Sequence, residues 1–317
     1  MITERLNPLN DFLFVKIMGE KGDEEQLCAF LNAVLGRKEQ DAIESVEILE
    51  NKTITAEVVG DKTSILDVRA RTASGERINI EVQLRNLGNM DRRSLFYWSL
   101  EFSRGMEAGQ DYRETPNVIA INIVNYEFLP QVPVFHTSFH IWEDTYREVL
   151  LTDALEIHFI DMVKFRRQGE KDIRNDPLQR WLTWFDKDSP QRLVEEIIKM
   201  DTAIQKAEEK LVYVSQDKEA LRAYQMREMA LSDWTSGLNH AREEGIQAGI
   251  QAGIQEGILK GIVKGKQEGL QEGLQEGKQK GKQEGRREIA SKMKKRGVPI
   301  DQIAEDTGLS GEEIEQL

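Results

Sequence analysis

The chain is poor in the residues that build cross-links and soft-metal sites: one cysteine, Cys28, and four histidines in 317 residues. No intramolecular disulfide can form, and no CxxC or Cys/His cluster is present for a structural zinc site. That chemistry fits a reducing cytosol. No apolar run approaches the ~20 residues of a membrane span, and the N-terminal MITERLNPLNDFLF carries acidic and polar residues where a secretory leader needs an apolar stretch. A soluble cytoplasmic protein without membrane contact is therefore expected. The Walker pattern GxxxxGK(S/T) and the GxSxG elbow are both missing, which leaves nucleotide hydrolysis and serine-hydrolase chemistry without support. Positive charge is also short. Lys and Arg number 43 against 56 Asp and Glu, a net charge of −13 that argues against coating nucleic acid by bulk charge.

The charge is unevenly spread. Residues 1–63 carry −6, residues 114–240 carry −7 and residues 241–317 carry −1, but residues 64–113 carry +1. All eight basic residues of that middle segment are arginine (Arg69, Arg71, Arg77, Arg85, Arg92, Arg93, Arg104 and Arg113), the side chain suited to bidentate phosphate contacts.

Hydrophobic periodicity predicts a mixed α/β core over residues 1–160. NDFLFVKIMG and DEEQLCAFLNAVL read as short helices, the second with Leu27, Phe30, Leu31, Val34 and Leu35 on one face, Cys28 packed beside them and Gly36 as cap. SVEIL, TSILDVRAR, ERINIEVQLR, NVIAINIVNY, VFHTSFHIW and EIHFID read as strands, with a helix over roughly 87–108 after the third. A helical region, 161–240, follows. Asp176-Pro177 and Ser189-Pro190 each combine an N-cap with a proline in the first turn.

Over 241–288 glycine recurs at every fourth position from Gly245 to Gly285, eleven times, often followed by Ile or Leu. In a lone helix those glycines would cost about 11 kcal/mol against alanine. Close packing on a second helix offsets that cost, and a flexible tether avoids it; both readings stay open, the first making a homo-oligomer. Residues 289–317 form a short C-terminal helical module resembling a helix-turn-helix. Its second helix, GEEIEQL, is too acidic to read DNA.

The chemistry concentrates in 64-SILDVRARTASGERINIEVQLR-85. Leu66, Val68, Ala70, Ile78, Ile80, Val82 and Leu84 fall on one face of two strands; Asp67, Arg69, Arg71, Arg77, Asn79, Glu81, Gln83 and Arg85 fall on the other. A three-residue loop, Ala73-Ser74-Gly75, places Thr72 opposite Glu76 and Asp67 opposite Glu81. Two facing carboxylates repel unless a cation separates them. A divalent metal, with the Val82 backbone carbonyl and Gln83 nearby, resolves the conflict; so does an arginine, Arg69 or Arg71, on an ordinary sheet face. In the following helix Arg93, Tyr97 and Arg104 share roughly one face, suited to a phosphodiester backbone, while Met90, Trp98 and Phe102 form a packing stripe. His136 and His140 lie about 13 Å apart along one strand, too far for one metal. His158 and His240 have no ligand-like partner in the sequence.

These residues carry a family resemblance. NDFLFVKIMG, ILDVRARTASGERINIEVQL, RRSLFYWS, GQDY and the glycine array with IAEDTGLSGEEI resemble the recombination-promoting nuclease/putative transposase (Rpn) family, across nearly the whole chain. The resemblance implies a restriction-endonuclease-like PD-(D/E)XK core and metal-dependent cleavage of DNA, with Mg²⁺ (or Mn²⁺ or Ca²⁺) as cofactor. Asp67 then matches the first acid, Glu81 the acid of the second strand, and Gln83 the place where many such enzymes have lysine. Arg93 and Tyr97 resemble a DNA-contacting helix motif, and Asp11 matches an acid contributed by the N-terminal helix. Glutamine carries no positive charge and orients water or phosphate only through its amide. A cationic role falls to Arg69 or Arg85, the nearest by parity. The alternatives are a catalytically weak nuclease-fold scaffold that acts as an oligomerising or regulatory partner, and an RNA-directed nuclease.

Overall fold

The computed structural model describes residues 5–49, 68–106 and 109–317. Asp67 and the preceding TSIL lie outside the described residues. Helix α1 (Asp11–Met18) starts where the Asn10 side chain accepts the amides of Phe12 and Leu13 at 3.1 and 3.4 Å, satisfying donors that a helix start leaves open. Helix α2 (Glu24–Leu35) ends at Gly36, whose φ of +65° suits a residue without Cβ.

Six strands follow: β1 (Val46–Leu49), β2 (Val68–Thr72), β3 (Arg77–Gln83), β4 (Val118–Val124), β5 (His136–Trp142) and β6 (Leu150–Asp161), ordered β1-β2-β3-β4-β6-β5 in one sheet. β2 and β3 form the expected hairpin. The Thr72 amide donates to the Glu76 carbonyl at 2.9 Å, Gly75 takes φ +92°, and Val68 faces Ile80. β3, β4 and β6 are mutually parallel. Parallel neighbours need a crossover, which between β3 and β4 carries helix α3 (Met90–Arg104). β4, VIAINIV, is buried along its whole length, as a central strand covered on both faces must be.

Residue parity divides the sheet. Ile78, Ile80 and Val82 of β3, Val68 and Ala70 of β2, and Ile119, Ile121 and Ile123 of β4 join the main core. The same core takes in α1, α2, α5 (Pro177–Phe185), α6 (Gln191–Met200) and α7 (Thr202–Gln216). Aromatic rings fill its centre: Phe30 stands edge-on to Phe185 at 5.3 Å and to Trp181 at 5.7 Å. Removing one such ring costs about 3–5 kcal/mol. Cys28 is buried here, its thiol 2.8 Å from the Ile43 carbonyl and pushed up by burial, in the packing role expected of it. On the opposite face Met90 and Trp98 of α3 pack on Ala120, Val124, Leu155, Ile157 and Phe159. The polar face of the hairpin thus lies under α3.

Several boundaries differ from expectation. Helix α3 starts at Met90, because Gly88 turns the chain at φ +69°. β6 begins six residues before Glu156, where Leu150 pairs with Trp142 of β5. α6 starts after Pro190, whose carbonyl accepts the first helical amide at 2.8 Å, so the proline occupies the cap that Ser189 was expected to fill. Asp176 caps α5 as expected, accepting from Leu178 and Gln179. Short helix α4 (Met162–Arg167) follows β6.

The chain divides into two compact units, 1–233 and 234–317. In the first, the start of α8 (Lys218–Lys295) packs Ala220, Leu221 and Tyr224 on the main core. In the second, the end of α8 forms a small core with α9 (Ile300–Thr307) and α10 (Gly311–Glu315), built from Ala290, Ile303, Leu309 and Ile314. REIASKMKK belongs to α8, since no residue breaks the helix before Gly297 at φ +77°. The repeat glycines are all helical, and nothing among the described residues comes within 4 Å of where their Cβ atoms would sit. No helix among the described residues is long and apolar enough to cross a membrane.

Candidate active site

Odd-numbered residues of β3 face α3, and two of the carboxylates between sheet and helix differ sharply. Glu101, on α3, gathers three arginines. Arg69 places Nε 2.7 Å from Oε1, Arg77 places Nη2 3.0 Å from Oε2, and Arg104 places Nη1 3.0 Å from Oε1. Burial pushes the Glu101 carboxyl up, but Arg69 and Arg77 outweigh it and hold the group below the usual range. This carboxylate is fully compensated.

Glu81 is not. Its side chain is 2% exposed, and the Arg93 guanidinium lies against Oε1. Neither carboxylate oxygen completes a well-formed hydrogen bond among the described residues. Burial pushes the Glu81 carboxyl up, and the attraction of Arg93 only partly opposes it. A buried, under-satisfied carboxylate is expensive to keep for stability alone, which makes the position a candidate site.

The surrounding elements follow from the sheet register. Glu81 faces Asn122 and Gln83 faces Val124 on β4. Asn122 is fully engaged, donating to Ser94 Oγ at 2.8 Å and to the His158 carbonyl at 2.9 Å, which fixes α3 on the sheet. The Asn125 amide bonds the Gln83 carbonyl at 3.1 Å, so odd-numbered carbonyls of β3 point to β4 and the Val82 carbonyl points to the other edge. Gln83 donates from Nε2 to the Arg85 carbonyl at 3.2 Å. Arg93 stacks 5.3 Å over the Tyr97 ring.

The expected site residues are thus dispersed in environment. Glu81, Gln83, Arg93 and Tyr97 come together at the C-terminal end of β3 and the N-terminal half of α3. Arg69 is buried against Glu101, Arg104 is held by the same carboxylate, and Arg85 is half-buried. Asp11 pairs with Arg227 at 3.6 Å on a helix that packs against the opposite sheet face. Asp67 lies outside the described residues. Hard oxygen donors fit a divalent cation, and the two incompletely bonded oxygens of Glu81 are the observation that supports the fit. Among the described residues, no group of three or more His, Cys, Asp or Glu side chains is placed to hold a metal.

Two features escaped the sequence. Glu101 lies four residues after Tyr97 and eight after Arg93, a helix-face spacing that could have exposed it. His158, expected to lack a partner, bonds His136 at 2.9 Å and Glu156 at 2.8 Å, with His140 3.7 Å from the same carboxylate. The partners come from the neighbouring strand and from its own strand, on the face opposite Glu81, and no single-strand spacing reveals them.

A mixed sheet with a parallel centre, flanked by helices and presenting a buried carboxylate beneath the crossover helix, defines a restriction-endonuclease-like α/β protein. The family described as PD-(D/E)XK nuclease family transposase matches residues 8–241, most of the chain, and the chain belongs to it. This membership fixes the functional class as nuclease-type and agrees with the resemblance seen in the sequence. Comparison with curated proteins and with solved structures returned no match.

Proposed function

We propose that the protein is a metal-dependent endonuclease acting on DNA, with Asp67, Glu81 and Gln83 as its catalytic residues. The incompletely satisfied, buried carboxylate of Glu81 carries this reading. Glu81, Asp67 and the Val82 carbonyl would hold a divalent ion such as Mg²⁺, which when bound acidifies a water and stabilises charge on the scissile phosphate. Asp67 immediately precedes Val68, whose pairing with Ile80 supports the acid-opposite-acid register expected from the hairpin. Gln83 keeps one amide N–H on the Arg85 carbonyl and retains its carbonyl oxygen and second N–H to orient water or phosphate.

Arg93 pairs with Glu81 and stacks on Tyr97, and in this reading it would turn to a backbone phosphate. Arg85 and Arg104 extend that contact. Arg69 acts from below, as part of the Glu101 cluster. Self-association through the C-terminal unit would bring two sites together for double-strand cutting.

The test is plasmid cleavage by the full chain beside Asp67→Ala and Glu81→Ala, with Mg²⁺, Mn²⁺, Ca²⁺ or EDTA. Metal-dependent nicking by wild type alone is expected. Equal silence of wild type and variants, with DNA still bound, refutes catalysis and supports the scaffold reading; preferential cleavage of RNA reassigns the substrate.

A further inference from the structure

The two edges of the sheet are unlike. β1 is four residues long and carries the Glu47–Arg71 ion pair, the short, charged form in which an edge strand is protected from pairing with another chain. β5 closes the other side with HTSFHIW, which holds no Lys, Arg, Asp, Glu or Pro. The Asp161 amide donates to the Phe135 carbonyl at 2.7 Å, so the main-chain groups of Thr137 and Phe139 turn to β6 and those of His136 and Ser138 turn outward. Among the described residues no strand pairs with that side.

β4 pairs with β6 only from Leu155 onward, so residues 150–154 and the end of β5 run past the sheet as a two-stranded arm. Such a ribbon is marginal in water by itself, and this one is apolar. Phe139 is 42% exposed, Trp142 45% and Tyr146 63%, with Ile141, Leu150 and Leu151 exposed beside them. Together they hold roughly 500 Å² of apolar surface; two copies thus reach the ~1,000 Å² that a specific interface needs. Four acids against one arginine over residues 143–153 turn the arm away from a phosphate backbone.

A matching recess lies where β5 begins. A groove of about 540 Å³ is lined by Pro130, Val132, Pro133, Val134 and Phe135, with Arg167 beside them. Arg167 is largely exposed and pairs with Glu127 at 3.0 Å. His136 also lines the groove, which places it on the β5 face of His140, whose ring meets Trp142 edge-on at 5.9 Å.

We propose that β5 pairs antiparallel with β5 of a second copy about a two-fold axis at Ser138, each arm laying Trp142 into the groove of the other copy. Ser138 is exposed and small, so two copies meet there without a clash. In that register position 142 of one copy falls opposite position 134 of the other, at the groove, and the acids Glu143 and Asp144 approach Arg167. A large aromatic in a recess, rimmed by opposite charges, is the anchor such interfaces use. The axis stands perpendicular to the sheet and keeps like faces together, so both α3 helices, with Glu81 beneath each, face the same way. The contact belongs to the first unit and is independent of the glycine array and of the nuclease reading.

The experiment uses the full chain with Ser138→Cys, and Lys187→Cys, an exposed position away from β5, as control; the native Cys28 is buried. Paired residues about 5.5 Å apart at Cα lie within disulfide range. Under mild oxidation Ser138→Cys should form a covalent dimer at least about tenfold faster than Lys187→Cys, and adding Trp142→Ala or Arg167→Glu should each slow it by about tenfold. Arg167→Glu leaves the arm intact, and its melting temperature should stay within about 3 °C of wild type. Association through the C-terminal unit is common to all variants and cannot produce the difference. Equal rates at positions 138 and 187 overturn the pairing, and fast cross-linking that survives both Trp142→Ala and Arg167→Glu overturns the seating of the arm in the groove.

Discussion

Replacing Glu101 with glutamine tests the charge cluster that seats α3 on the sheet. The side chain is 4% exposed, and Arg69 and Arg77, at 10% and 14%, have their guanidiniums within 3.0 Å of its oxygens. Glutamine preserves the shape but leaves two buried cations facing a neutral amide. Breaking a buried pair from one side costs about 3–5 kcal/mol; the third partner, Arg104, is 36% exposed and adds roughly 0–1 kcal/mol. For a unit of about 150–250 residues each kcal/mol moves the melting temperature by roughly 2–4 °C. Glu101→Gln should therefore lower the melting temperature of the first unit by roughly 6–24 °C at neutral pH. The loss must also depend on pH. Arg69 and Arg77, outweighing burial, hold the folded Glu101 carboxyl below its unfolded value. The stability it contributes is complete above an unfolded value of about 4.3 and disappears as pH falls through the folded one. Circular dichroism melts of wild type and variant should converge towards pH 3. A shift under about 3 °C at pH 7, or a gap that widens in acid, refutes the reasoning.

Other outcomes follow from single features. Changing Gly257, Gly261 and Gly265 together to alanine should raise the helicity of the C-terminal unit and stabilise it by about 1 kcal/mol per site, because nothing among the described residues stands within 4 Å of the added methyl groups; loss of an oligomer on gel filtration would show instead that these glycines contact a second copy. His136 is held down to about 4 by burial and by His158, with Asp176 and Glu156 opposing. Its folded value lies below the unfolded value of about 6.5, so stability should fall as pH drops from about 6.5 towards 4. His136→Gln should flatten the melting profile across that window, and an unchanged slope would remove the histidine from the account.

The sequence carried the site's strand pattern further than its helix contacts. Alternation in VRARTASGERINIEVQ fixed the hairpin, its loop and its register, because a period of two leaves one register that buries Val68, Ile78 and Ile80 together. The partners of the polar face were harder to read. Arg69 resembled a surface phosphate ligand until α3 closed over it, since burial of an arginine depends on where a distant carboxylate lands. The His136–His158 contact was hidden for the same reason, being a pairing across two strands.

The aromatic centre of the main core has a consequence for synthesis. Phe14 and Phe30 belong to the first two helices, but Trp181 and Phe185, against which they pack, are made after the last strand. A ribosome-bound chain ending at Asp161 has all six strands and only part of their covering. At about 5–20 residues per second, it waits several seconds for α5 to α7. A nuclease assembled in this order stays without a complete fold until its helical segment has left the ribosome, which delays the onset of any cutting.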